Sequence, residues 1–265
     1  MRIRALFVGL LLAVPALAGP PKKGPKLDLA PLVAELGGND PEQAAKAADA
    51  LGAAPDPAAH EALLDALALG PTAPVAVAAI GALTQHPAPP DVPALVRFAG
   101  HRNPSVRGAA LGALALYPDP IAQAAIVHAL HDQTGIVRGA AAGAAAKGHV
   151  TAAIEPLFAL LAKGEEPAAR ALAQLADPDL ARKIGDQLGH VPEATLALCL
   201  GAILKRADFG PDTARVEVVH ALANIADSAA LAALTDYIDA TPKTPPRPSR
   251  SEAEHAVETK LGGGK

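Results

Sequence analysis

Three stretches of the chain carry one arrangement of apolar and small residues. They read Val75-Ala-Val-Ala-Ala-Ile-Gly-Ala-Leu83, Val106-Arg-Gly-Ala-Ala-Leu-Gly-Ala-Leu114 and Val137-Arg-Gly-Ala-Ala-Ala-Gly-Ala-Ala145, each beginning 31 residues after the last. Weaker copies stand at Ala44–Leu51, Ala168–Leu175 and Arg215–Leu222. A fixed period of this length marks stacked supersecondary units, each too small to bury its apolar face alone. A second helical pattern lies between the copies, at Asp91–Ala99, Ile121–Leu130 and Ile154–Leu161, with Pro near each start. A helix tolerates Pro there because its first N–H groups have no partners in the helix. Asn103-Pro104, Asp119-Pro120, Asp132, Gly148 and Asp177-Pro178 punctuate the joints as stop and cap signals. Each period thus predicts two helices with short turns, about fourteen helices between residues 27 and 239. Between 176 and 212 the spacing drifts, since residue 215 lies 47 beyond residue 168, and a helix is expected to be missing or displaced there.

The alternation of a Pro93-Ala-Leu-Val96 helix with an Asn103-Pro-Ser-Val-Arg-Gly-Ala-Ala110 helix resembles HEAT repeats of the short phycobilisome-lyase type. The resemblance covers about residues 40–240 and is strongest from 74 to 163. It implies an all-α fold, a right-handed α–α superhelix of about six to seven helix pairs, with the second helix of each pair lining a concave surface. It further implies that the Arg of Val106-Arg107 and Val137-Arg138 joins a ladder with acids at neighbouring turns, a pattern that Asp132 fits. The copies near 45, 76 and 168 lack this Arg, so a short ladder is expected. Lys46, Arg107, Arg138, Arg170 and Arg215 are the polar residues expected on those helices, as partner contacts or as ladder and rim residues.

Composition agrees with thin layers of closely spaced helices. Hydrophobic residues make up 51% of the 265, but aromatics only 2%, so bulky groups that fill a deep core are scarce. Ala, the strongest helix former, dominates, and β-favouring runs are few. The net charge of −4 hides a segregation: residues 27–240 carry 24 acids against 13 Lys and Arg, a net of −11, between basic flanks. Such a body repels phosphate backbones and argues against nucleic acid as partner.

The ends differ from the body. Residues 1–18 read as a cleaved signal peptide: Arg2 and Arg4, then an apolar run broken by Pro15, then Ala16-Leu17-Ala18 before Gly19. The run is shorter than the roughly 20 residues that span a bilayer, so export without a transmembrane anchor is expected, to a periplasmic or secreted location. Residues 19–26 form a basic linker, 27–240 the solenoid, and 241–265 a Pro-rich tail expected to be disordered, with 251–262 able to form one more short helix.

Candidate chemistry is sparse. Gly108 and Gly112, then Gly139 and Gly143, stand four apart on one helix face. Each costs about 1 kcal/mol relative to Ala, which calls for a reason: a smooth groove for a partner, close packing of successive repeats, or a compositional bias. His128 and His131 share a face beside Asp132, with His101 or His149 as a further metal ligand, although no established metal motif is present. The single cysteine, Cys199, lies in an apolar run and reads as a buried small hydrophobe. No nucleophile elbow, phosphate loop or dinucleotide fingerprint is present, so neither catalysis nor a cofactor is expected. The expected function is an extracytoplasmic monomeric scaffold that binds a protein or peptide on its concave face. Two alternatives stand beside it, an envelope or cell-wall spacer and a subunit of an enzyme such as a chromophore lyase.

Overall fold

A computed structural model describes residues 28–262. The signal peptide and the basic linker expected from the sequence lie outside these residues. Fifteen α-helices follow one another: α1 (Ala30–Leu36), α2 (Pro41–Gly52), α3 (Pro57–Ala68), α4 (Ala73–Leu83), α5 (Asp91–Ala99), α6 (Pro104–Leu114), α7 (Pro120–Ala129), α8 (Gly135–Lys147), α9 (Ile154–Leu161), α10 (Glu166–Leu175), α11 (Pro178–Gly185), α12 (Glu193–Lys205), α13 (Asp212–Ala223), α14 (Ser228–Ala240) and α15 (Pro248–Gly262).

One local device starts many of them. Asp40-Pro41, Asp56-Pro57, Asn103-Pro104, Asp119-Pro120 and Asp177-Pro178 each place an acceptor side chain at the N-cap and Pro at the first helical position. The side-chain oxygen takes a free backbone N–H of the first turn, which stabilises each start by about 1 kcal/mol. Proline supplies the helical φ and has no N–H to leave unpaired. The far ends of three helices are closed by arginines from elsewhere in the chain. Arg97 donates to Leu67 O at the end of α3, and Arg206 to Ala173 O and Ala176 O at the end of α10. Arg215 donates to Leu204 O, Arg206 O and Phe209 O beyond α12. Carbonyls at and just beyond a helix end lack the full set of intrahelical donors; Leu67 O and Arg206 O also take one turn amide each, from Gly70 and Phe209.

The helices form two layers. In one, α2, α4, α6, α8, α10, α12 and α14 stack in sequence; in the other, α3 meets α5, α5 meets α7, and α11, α13 and α15 pack in turn. A single core of buried residues runs between the layers from Leu36 to Ala256, built mainly of Ala and Leu. Small side chains let the backbones approach. At two places only glycine fits: a Cβ on Gly52 would lie 2.7 Å from Ala82 Cα in α4, and one on Gly201 would lie 2.8 Å from Ala233 Cβ in α14.

Two sequence expectations are corrected here. No helix is missing between 176 and 212, because α11 and α12 fill the interval. The drift arises because Arg215–Leu222 belongs to α13, in the opposite layer from α6 and α8. Within its own layer the period survives: α10 begins at 166 and α14 at 228, two repeats of 31 apart. Both layers bury an apolar stripe of the same helical spacing, so local pattern does not distinguish them. The second correction concerns the tail, which is ordered helix from Pro248 and packs on α13 and α14. Its composition is polar, but Ala253 and Ala256 are buried and Ser249 is fully enclosed. Arg250 donates to Ile238 O and Thr241 O, and Lys260 to Ile225 O, tying the helix to the ends of its neighbours.

Candidate protein-binding face

Arg107 and Arg138 occupy the first turns of α6 and α8 and face the inter-helix turns. Arg107 Nη1 donates to His101 O (2.9 Å) and Arg102 O (3.2 Å) of its own turn, while Nη2 donates to Asp132 Oδ1 (2.9 Å) of the next. Its Nε lies 2.9 Å from Asp132 Oδ2 but off the hydrogen-bonding direction, a charge contact only. Asp132 also accepts from Thr134 N at 2.8 Å. One repeat on, Arg138 Nη1 donates to Asp132 O (2.9 Å) and Gln133 O (3.2 Å), and Nε donates to Glu165 Oε1 (2.9 Å). The ladder therefore joins three consecutive turns. Burial pushes the Asp132 carboxyl up, but the Arg107 and Thr134 hydrogen bonds and the Arg107 charge outweigh it, holding the group below the ordinary carboxylate range. Glu165 raises Arg138 further by accepting its hydrogen bond.

The other arginines and Lys46 are placed differently. Lys46 and Arg170 are exposed and pair within their own helices, with Glu42 and Glu166. Such pairs add a few tenths of a kcal/mol to a helix and cross to no neighbour. Arg215, expected on the same face, is buried in the opposite layer with its guanidinium over the Phe209 ring. A long polar side chain at helical spacing looks exposed in sequence; the free carbonyls at 204–209 draw this one inward.

The glycines divide in two. Gly108 and Gly139 face the next repeat, where a Cβ would meet Ala140 Cβ at 3.5 Å and Pro167 Cγ at 3.4 Å. Gly112 and Gly143 are exposed, and a Cβ on either would touch nothing within 4 Å; the same holds for Gly81 on α4. The first pair thus packs at ordinary contact distance against the next repeat, and the second meets no neighbour at all. Together with exposed Ile136 they leave the outward face of α4, α6 and α8 smooth and poor in charge.

The structure adds one polar centre that the sequence did not single out. Asp91, at the start of α5, is fully buried and accepts from His60 Nε2 (2.6 Å), Tyr117 OH (2.5 Å) and Ala88 N (2.9 Å). Burial raises the Tyr117 phenol strongly, and the Asp91 hydrogen bond and charge add to it. The centre spans two repeats; its signal in the sequence is the 31-residue spacing of His60 and Asp91, one period, and the scarcity of tyrosine, of which the chain has two. His128 and His131 are exposed, and among the described residues no three His, Cys, Asp or Glu are gathered as a metal site. Cys199 is fully buried, and burial pushes its thiol up to about 12, so it holds no thiolate near neutral pH.

A family model described as HEAT repeats matches residues 61–146 and 92–176. A comparison with curated proteins gives no match. Among solved structures, the chain is similar to one from the complex of CpcE and CpcF of phycocyanin lyase from Nostoc sp. PCC7120. That pair shares 23% identity over 91% of this chain and 98% of the other, with a TM-score of 0.48. It is also similar to the karyopherin Kap121p bound to the extreme C-terminus of the protein phosphatase Cdc14p, at 15% identity over 88% of this chain and 30% of that one, with a TM-score of 0.53. A second Kap121p structure gives 16% identity and a TM-score of 0.50 over 88% of this chain and 29% of that one. Likeness at these identities is one of fold. Residues 61–176 thus match HEAT repeats, and the chain, with its two stacked layers and the ladder between their turns, has the all-helical fold of a HEAT-like solenoid.

Proposed function

We propose that the protein is an exported scaffold, without catalytic activity of its own, that holds a protein or peptide segment along the concave face formed by α4, α6 and α8. One observation carries the reading: Gly81, Gly112 and Gly143 recur at the repeat period, face outward, and have no neighbour that a side chain would displace. Each weakens its helix by about 1 kcal/mol relative to Ala, a cost that close approach of a partner backbone would offset. The fold supports the reading, since solenoids present long stiff surfaces and Kap121p, of similar fold, binds the end of another protein. Export rests on residues 1–18 and predicts a mature N-terminus at Gly19.

The test is crosslinking and affinity capture with the chain from Gly19 onward in envelope extract, run beside a Gly112→Gln/Gly143→Gln variant. The reading expects one enriched protein, with crosslinks on α6 and α8 and loss of capture by the variant. Crosslinks confined to residues after 240, or equal capture by both forms, would reject it. N-terminal sequencing of the protein from the extracytoplasmic fraction checks export, and an intact Met1 there sinks that part.

A further inference from the structure

The opposite layer carries a second surface of different chemistry. Between α5 and α7 runs an open groove of about 610 Å³, with Val96 and Ala99 of α5 on one wall and Ile121, Ala124 and Ala125 of α7 on the other. Ile121 is 63% exposed although it is one of the larger aliphatic side chains in the chain. At the turn end the groove is rimmed by His101, Arg102, Arg107, His128 and His131, against one acid, Asp132. That acid is already satisfied by Arg107 and the Thr134 amide. Arg102 is exposed and forms no ion pair among the described residues, and His128 and His131 are exposed beside it. His101 is aimed: its ring stacks on Phe98, and Nδ1 accepts the Asn103 amide at 3.0 Å. A neutral imidazole that accepts at Nδ1 carries its proton on Nε2, so the second nitrogen is a donor. In a body of net charge −11, this is a local concentration of cations and donors at the mouth of an apolar trough.

We propose that the α5–α7 groove binds an acidic peptide segment of another protein, with its carboxylates on Arg102 and the histidine rim and an aliphatic side chain between Ile121 and Ala125. Charge complementarity selects this occupant. The acidic surroundings repel a nucleic-acid backbone or an anionic membrane, both of which need a broad basic face, whereas a short peptide meets only the rim. Size agrees: helices of nine and ten residues make a trough about 15 Å long, enough for four or five extended residues. The surface lies in the layer opposite α6 and α8, so it stands independently of the face proposed above.

The experiment is fluorescence anisotropy of a labelled octapeptide, Glu-Asp-Leu-Asp-Leu-Glu-Asp-Glu, titrated with the chain from Gly19 onward at low and high salt. Saturable binding that weakens with salt is expected. An Arg102→Glu/His131→Glu variant should bind about tenfold or more weakly, as should Ile121→Asp. Lys183→Glu, an equally exposed reversal on α11, should bind as the unaltered chain does. Circular dichroism confirms that each variant keeps its helix content. Absence of saturation at millimolar peptide would overturn the proposal. So would equal weakening by Lys183→Glu, or tighter binding of polyuridylate or phosphatidylglycerol vesicles than of the peptide.

Discussion

Arg138 Nη1 donates to the main-chain carbonyl of Asp132, the residue whose side chain holds Arg107. Two rungs of the ladder thus meet at one residue, through its carboxylate on one side and its carbonyl on the other. Arg107 and Asp132 are 15% and 16% exposed, so neither is freely hydrated and their contact is less screened than a surface pair. Arg107→Ala should lower stability by about 1–2 kcal/mol, because it also strips donors from the 101–102 carbonyls. Urea unfolding measures this, and a double-mutant cycle with Asp132→Ala should return a coupling energy of about 1 kcal/mol. Strict additivity would show that the ladder is incidental.

The same carboxyl sets a pH dependence. Its folded-state pKa is depressed below the unfolded value, so the stability it contributes is fully present above the ordinary carboxylate range and is lost as pH falls through the folded value. Unfolding profiles of the unaltered chain and of Asp132→Asn should therefore converge in the acid range and separate toward neutral pH, with the unaltered chain the more stable. A constant gap across that range would refute the linkage.

Glycine to alanine changes should divide by neighbourhood. Gly112→Ala and Gly143→Ala, with open space around the new methyl, should stabilise by about 0.5–1 kcal/mol each. Gly52→Ala and Gly201→Ala should destabilise by about 1–3 kcal/mol, because the methyl meets Ala82 or Ala233 inside contact distance. Thermal melts of the four variants decide the matter, and a common sign across all four would contradict it.

Asp91 is a fully buried carboxyl shared by three donors. Asp91→Ala leaves His60 and Tyr117 without their shared acceptor and should cost about 3 kcal/mol or more. Tyr117→Phe keeps the His60 contact and should cost about half as much. Chemical denaturation tests the ranking.

The last helix should behave as part of the solenoid. Tyr237 OH donates to Ser249 Oγ at 2.6 Å, and Ser249 Oγ donates in turn to Asp212 Oδ1 at 2.5 Å, joining α13, α14 and α15. Truncation after residue 240 should expose the α13 face and speed amide hydrogen exchange there, and Ser249→Val should do so partially. Unchanged protection in α13 would mean that α15 is dispensable.

The sequence by itself determined the helices, their starts and their repeat. Asp-Pro and Asn-Pro caps act within three or four residues, and the 31-residue period records one apolar stripe per helix, so both are visible along the chain. Asp132 as a ladder acid was implied by the resemblance to HEAT repeats; that its carboxylate holds Arg107 and its carbonyl Arg138 is seen only in the structure. What the tertiary structure decided was every pairing between residues that the period does not relate. It put Arg215 in the core and its helix in the other layer, made Gly52 and Gly201 the packing glycines, brought Tyr117 onto Asp91, and folded 248–262 onto the body. These depend on which backbone carbonyls are left free and which surfaces come within a few ångströms once the layers close. That information lies in no single window of the chain.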